Sequence, residues 1–435
     1  MSFSIEAFLE NSQEQQVNRF CQSLKQYDNQ KKQELESQGW QYIKRAERTV
    51  TFSFGTVTFS RNCFFKDGRY YYPVDEYLEL LPYERYSKEL LYYIATLASR
   101  MSYRKVVLTV YELKQIHITK DTVLKAVKYV GKLYEEQEDY MYYEEKEIEK
   151  KKVDVLYIEG DGQQNKTRTE GKRTDYAHFV VHEGCEYEYG KRKRLKNKKE
   201  FYRSSNYKAR EELHDYLYEH YQLDEQTIVI TNSDMGIGYT VPVFEELVAP
   251  YLVRHEHFWD RYHLYDLIKV MYKNLPTECY KLLIGAIRIH DKQKAKTALD
   301  TAESLIEDEA KAEEFSKFST RILDNFAYTK PPELRGFLSE GIGINESQHC
   351  KITNRMKNKG MRWCVKGAET MGRMIIDIAN DKLKELFFGD WRQKYKEMKE
   401  KYKSASTYLR KEKNSSSIRH GKLADKYNRG RRSSY

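Results

Sequence analysis

The chain lacks the cysteine spacing of a zinc ribbon or a disulfide scaffold: its six cysteines, at 21, 63, 185, 279, 350 and 364, are scattered over 435 residues with no CxxC pair. A reducing cytoplasm is the simpler setting for such a chain. It also lacks any uncharged run near the ~18 residues that a membrane-spanning helix requires. The N-terminus, Met1-Ser2-Phe3-Ser4-Ile5-Glu6, has no basic region followed by an apolar stretch, so no export signal is expected and no membrane partner. An acidic excess is missing too, and the formal charge of +10 is gathered at one end. From Arg392 to Tyr435 fifteen Lys or Arg stand against four Asp or Glu, which leaves the first 391 residues close to neutral. A basic Ser/Lys/Arg tail suits phosphate binding, because each neutralised phosphate releases counterions; a merely solubilising, disordered tail is the alternative.

At 435 residues the chain exceeds what one core usually holds, so several structural units are expected. Residues 1–39 place Ile5, Phe8, Leu9, Val17, Phe20 and Leu24 at helical spacing and predict one amphipathic helix, for packing or self-association. Residues 40–75 alternate, as in Val50-Thr51-Phe52-Ser53-Phe54, and Asp67-Gly68 marks a turn, which together predict a small antiparallel meander. Residues 76–135 return to helical periodicity. Ser102 can cap one helix and Thr119 to Thr122 can start another, a helix-turn-helix-like pair whose second helix could enter a DNA major groove. Residues 136–152 read as a charged, solvated helical linker and 391–435 as the disordered basic tail.

The acidic signals stand at the ends of apolar runs. Val153 to Ile158 reads as a buried strand that Glu159-Gly160-Asp161-Gly162 breaks, the glycines leaving the Asp161 carboxylate unobstructed. Tyr176 to Val181 and Glu200 to Tyr202 predict two further strands, bracketing a stretch from Lys191 to Lys199 in which seven of nine residues are basic. Lys191, Arg192, Arg194 and Lys198 in that stretch are candidate phosphate contacts. A helix over 206–222 precedes the strand Thr227 to Asn232, which delivers Asp234, and His255 to Trp259 makes a fifth strand followed by Asp260 and His263. Three strands, a helix and a strand is the order of a ribonuclease-H-like core, and functional groups collect at such strand ends. After a mostly helical stretch, Gly341-Ile342-Gly343-Ile344-Asn345-Glu346 turns into a helix. Carboxylates from two strand ends and a helix start can converge on a hard cation. An aspartate after a strand can equally be a helix cap.

The motifs Ile158-Glu159-Gly160-Asp161-Gly162, Asn232-Ser233-Asp234-Met235-Gly236, Asp260-x-x-His263, Asn345-Glu346-Ser347, Arg355 to Trp363 and Gly367-Ala368-Glu369 occur in this order. Together they resemble the DDE transposases of bacterial insertion sequences, in the Mutator-like group and of the ISLre type. The resemblance implies an α+β multidomain chain: a ribonuclease-H-like mixed-sheet core at 153–264 and 341–390, with an all-helical insertion at 265–340. It implies that Asp161, Asp234 and Glu346 hold two Mg²⁺ or Mn²⁺ ions, with Glu369 the competing third acid and Asp260 and His263 beside the site. Arg355, Lys357 and Arg362 follow Glu346 and are further candidate DNA contacts. The implied partner is double-stranded DNA, as element ends and target, bound by a homo-oligomer. A non-catalytic DNA-binding derivative and a ribonuclease-H-like nuclease are the alternatives.

Overall fold

The computed structural model describes residues 5–144, 149–168, 173–189, 192–357 and 360–402. The described residues fall into two compact units, one within 1–131 and 146–381, the other within 132–145 and 382–435. Among them no helix is long and apolar enough to cross a membrane.

The chain opens with α1 (Ile5–Ser37) and an antiparallel sheet of β1 (Gln41–Phe52), β2 (Gly55–Lys66) and β3 (Arg69–Tyr71). Asp67 and Gly68 both take positive φ, the geometry of a tight hairpin turn between β2 and β3. Leu24 of α1 packs on Val50, Phe52, Val57 and Phe59, and the buried Asp28 carboxylate accepts from the Asn62 amide at 2.9 Å. A short helix α2 (Pro73–Tyr77) leads to α3 (Lys88–Arg100), α4 (Tyr103–Lys114) and α5 (Lys120–Tyr143). Ser102 stands at the N-cap of α4, but its hydroxyl makes no capping bond. The start of α5 is closed by two threonines, the Thr119 hydroxyl accepting from the Thr122 amide and the Thr122 hydroxyl from the Thr119 amide. The linker expected at 136–152 begins inside α5, because Leu133, Tyr134 and Tyr140 bury one side of that helix through the acidic run.

The central sheet runs in the order β12-β11-β5-β6-β9. Before it comes β4 (Lys151–Lys152), which pairs with β10 (Tyr221–Gln222) alone. Its strands are β5 (Val155–Lys166), β6 (Arg173–His182), β9 (Lys199–Arg203), β11 (Ile228–Ser233) and β12 (Arg254–Trp259), while β7 (Cys185–Tyr189) and β8 (Arg192–Leu195) form a separate hairpin. The β5, β6 and β9 ladders are antiparallel; β5, β11 and β12 are parallel. Helices α6 (Asn206–His220) and α7 (Val241–Val248) cover one face, where Leu156, Ile158, Phe179, Leu213, Leu217 and Phe244 form the core.

Gly160 and Gly162 do not break β5 as expected, because β6 keeps pairing with it through Lys166. Their role is to make room. A Cβ on Gly160 would lie 2.5 Å from the Phe179 ring, and one on Gly162 2.5 Å from the Asp175 carboxylate.

Next comes a helical lobe of α8 (Arg261–Met271), α9 (Thr277–Arg288), α10 (Lys292–Glu303) and α11 (Glu309–Asp324) with its own apolar core, including Leu283, Leu299, Phe315 and Ile322. The chain then enters α12 (Asn345–Met356) and α13 (Val365–Ala379). α13 lies close on β9: a Cβ on Gly372 would come within 2.1 Å of the Tyr202 ring, which is itself held by its hydroxyl donating to Gln163 at 2.8 Å. Gly372→Ala is therefore expected to cost about 2–3 kcal/mol by overpacking, read as a lower urea midpoint with unchanged slope. In the second unit, α14 (Leu383–Phe388) is followed by a helix from 391 through 402, where Trp391 and Tyr395 pack on Tyr140. The basic tail expected from 391 thus begins as helix, and its remainder lies outside the described residues.

Candidate active site

Three aspartates form a row across the parallel strands. The ladder between β5 and β11 ends at Gly160↔Ser233, and that between β11 and β12 at Ser233↔Trp259. The next residue on each strand is Asp161, Asp234 and Asp260, so three carboxylates leave three neighbouring strands at one level, about 4.8 Å apart from strand to strand. The Asp260 carboxylate is used locally: it accepts from the His263 amide at 3.0 Å and caps α8. The Asp161 carboxylate accepts from the next amide of its strand, Gly162, at 2.6 Å, and Asp234 from the Gly236 amide in the turn that follows it, at 2.8 Å. The turn after Asp234 carries Met235 at φ 58°, and Arg321 of α11 holds it by donating to the carbonyls of Asp234 and Met235 at 3.3 Å each.

The opposite face of β5 is polar and buried. Glu159, Asp161, Gln163 and Asn165 are spaced two apart and so share one side, with exposures of 1, 9, 2 and 0%. Burying such a row is costly unless each group is partnered, and α12 supplies partners for three of them. Glu159 accepts from the amides of Gly343, Ile344 and Asn345 at 2.7, 2.8 and 3.1 Å, which closes the start of α12 on the strand. Gln163 donates to Thr353 at 3.0 Å. Asp161 faces the His349 ring, Nδ1 to Oδ2 3.5 Å, and His263 approaches the same oxygen at 3.8 Å. With its amide oxygen toward the strand, Asn345 accepts from the Gly160 and Asp161 amides at 3.2 Å. Gly343 takes φ 79° and sits 3.0 Å, measured from the site of a Cβ, from Asp260, so a side chain there would strain the turn and crowd the row.

Electrostatics follow from this packing. Burial, then the Asp234 charge, raise the Asp161 carboxyl to about 7. Burial, then Asp260, raise Glu159 to about 8 against the downward pull of the three amides. Burial, with His178 next, lowers His349 to about 2, so a neutral imidazole faces Asp161. Under His349 lies His178, stacked at 5.0 Å and bonded through Nε2 to Glu200 at 3.0 Å. Glu200 also meets Lys198 and Lys351, at 2.8 and 2.6 Å, and these partners hold its carboxyl low against burial.

Glu346 is exposed in the first turn of α12. It shares a helical stripe with His349 and Thr353, the residues that touch Asp161 and Gln163. Glu369 is engaged elsewhere: it accepts from the Ser204 amide and hydroxyl at 2.9 and 2.5 Å and pairs with Arg203 at 3.1 Å. Among the described residues no group of three or more His, Cys, Asp or Glu stands assembled for a metal ion.

The basic candidates divide. Arg355 is 4% exposed, donates to the Ala98 carbonyl at 2.8 Å and lies 5.3 Å from the Trp363 ring, which corrects its reading as a DNA contact: the guanidinium ties α12 to α3. Lys198 is taken up by Glu200 and Gln348. Arg194, Lys357 and Arg362 are exposed, Arg192 lies on β8, and Lys191 falls outside the described residues.

Sequence reasoning missed Glu159, Asn345, His349 and Asp175. Asp175 lies against Gly162, on the face of the sheet that Phe179 shares, and its carboxyl is raised by burial and then by Asp234. The signal for Glu159 was present, since a strand that alternates Glu, Asp, Gln and Asn has one polar face.

The fold and site define a mixed α+β protein with a row of aspartates where the parallel ladders end and a helix anchored beside them. The chain belongs to the uncharacterised protein family UPF0236, which it matches over residues 5–394. It is 32% identical over 337 residues to the UPF0236 protein in the vanSb 3′ region of Streptococcus gallolyticus, covering 77% of this chain and 73% of that one. A UPF0236 protein of Caldanaerobacter subterraneus subsp. tengcongensis is 24% identical over 387 residues, or 85% and 77% of the two chains. Among solved structures, the Drosophila P element transposase strand transfer complex aligns over 69% of this chain and 80% of its own, at 11% identity and a TM-score of 0.23.

Proposed function

We propose that this protein is a DDE-type DNA transposase, which cuts the ends of a mobile element and joins the freed 3′-hydroxyl to target DNA. The observation that carries the reading is the pair Asp161 and Asp234, side by side at one level of the sheet and, among the described residues, without a Lys or Arg ion pair. Two such carboxylates repel each other unless one is protonated or a cation lies between them, and above about pH 7 the cation is the remaining remedy. The strand order supports a ribonuclease-H-like core, with three antiparallel strands followed by two parallel ones. The anchored α12 supports Glu346 as the third acid, one helical turn from His349.

The donor set suits Mg²⁺ or Mn²⁺, since oxygen ligands of hard character predominate. When bound, two such ions would supply an activated hydroxyl and neutralise the charge of the leaving oxygen. The protein's own groups would do the rest. Asp161 and Asp234 would hold the cations, while Asp260 fixes α8 and with it His263 beside Asp161. Arg194, Lys357 and Arg362 are exposed and suited to phosphates, and the exposed Lys120, Lys125 and Lys128 along the start of α5 would meet duplex DNA. We place a homo-oligomer on the DNA in the same reading.

The absence of a ready three-acid group among the described residues favours a second reading, a DNA-binding protein without metal chemistry. One experiment separates the two: incubation with Mn²⁺ and supercoiled plasmid carrying the DNA that flanks the gene. The transposase reading expects strand-specific nicks with 3′-hydroxyl ends and joined products; intact plasmid that is nonetheless bound contradicts it.

Mn²⁺ affinity is also expected to depend on pH. Asp161 must lose a proton to hold the ion and titrates near 7, so affinity should fall about tenfold per unit below that value and level off above it. Calorimetric titration at several pH values checks this, and a flat profile from pH 5 to 8 would count against Asp161 as ligand.

A further inference from the structure

A second recess adjoins the aspartate row. It is a cleft of about 930 Å³, floored by Phe258 and Trp259 at the end of β12. One wall is α8, with Tyr262, Tyr265 and Lys269; the other is α9, with Tyr280 and Arg288, together with Lys330 from the segment after α11. Asp260 and Gly343 stand in its lining, so it borders the groups that cap α8 and admit α12. A volume of this order accommodates a compact organic ligand.

The cleft is aromatic and cationic together. Tyr262 is 64% exposed, and Arg261 lies 5.6 Å over the Tyr265 ring. Arg261, Lys269, Arg288 and Lys330 share the lining with Asp260, Asp266 and Glu333, of which Asp260 is already spent on the α8 cap. An aromatic ring stacks on any base, and a cation meets the phosphate attached to it; a base taken out of a duplex needs both. An ordinary solvated surface would not place four tyrosines and tryptophan among these cations around one concavity.

We propose that this cleft binds an unstacked nucleotide, with its base among the tyrosines of α8 and α9 and its phosphate against the basic residues of the two walls. The proposal rests on the reading of the neighbouring acids as a phosphoryl-transfer site for DNA. A nucleotide held there keeps a strand end beside Asp161 and Asp234 while the cut is made. The same chemistry could be met by a free nucleoside monophosphate.

The test uses the full chain in EDTA, so that binding is read without metal chemistry. The probe is a short oligothymidylate carrying one 5-iodouracil, with free thymidine monophosphate as competitor. Photocross-links are expected in peptides containing Tyr262, Tyr265 or Tyr280. Tyr262→Ala should weaken binding by about tenfold with unchanged thermal unfolding, and the double variant Arg288→Ala, Lys330→Ala should weaken it further. Displacement by the free monophosphate at comparable affinity supports the site with a free nucleotide as its occupant; no displacement supports a nucleotide borne by DNA. Cross-links confined to residues 192–199 or to the segment after α12, with both variants binding like the parent, overturn the proposal. A protein that cross-links in the cleft yet never nicks DNA in Mn²⁺ refutes the acid reading and leaves the nucleotide site standing.

Discussion

Asp161→Asn will abolish Mn²⁺-dependent nicking, by about 10³-fold or more, and will leave the fold as stable as before or more stable. A thousandfold loss is about 4 kcal/mol of transition-state stabilisation, the scale expected when a hard-cation ligand is replaced by a neutral amide. The stability side follows from the same carboxylate. Its folded titration point, near 7, lies above that of an unfolded aspartate, so ionisation works against the folded state. The metal-free protein should therefore lose stability as pH rises from about 4 through 7, and the Asn variant should not lose that share. A gain of about 1–2 kcal/mol at pH 8, in urea unfolding without metal, is the expected size after allowing for relaxation. Loss of folding in Asp161→Asn would instead make the residue structural.

Glu159→Ala has the second large effect, and it acts on α12. Removing this carboxylate leaves three amides without their acceptor, that of Asn345 buried and those of Gly343 and Ile344 partly buried. At about 1–3 kcal/mol for each orphaned donor, the loss is on the order of 4 kcal/mol, enough to threaten folding of a marginally stable chain. Glu159→Gln keeps one acceptor oxygen and the volume, so about 1–2 kcal/mol is expected, with faster hydrogen exchange at those three amides. Because α12 carries Glu346 and His349, the Gln variant should also bind Mn²⁺ less tightly while Asp161 and Asp234 stay in place. Unchanged exchange at 343–345 would show that α12 is held by other contacts.

The apolar strand cores were the most legible part of the sequence. Runs such as Val153 to Ile158 and Thr227 to Asn232 stop at acids, and β11 does end there, at Ser233, while β5 continues through Asp161 to Lys166. That Asp260 joins Asp161 and Asp234 in one row is a matter of register, which no local pattern states. The polar face of β5 was hidden for another reason. Glycines between its acids look like a break, whereas they vacate space for Phe179 and Asp175, both distant in sequence. Arg355 misled because a basic residue after an acid reads as a phosphate contact, and only tertiary packing sends it to the Ala98 carbonyl. The acidic stretch after 135 misled in the same way, since charge on one side of a helix conceals Tyr140 on the other.

The direct test of the account is anomalous scattering from crystals soaked in Mn²⁺. Manganese density is expected where the β5–β11 ladder ends, bound by Asp161 and Asp234, with the Glu346 side chain turned onto it from α12 and Glu369 still on Ser204. A map with no manganese between Asp161 and Asp234, and Glu346 left in solvent, would contradict this reading.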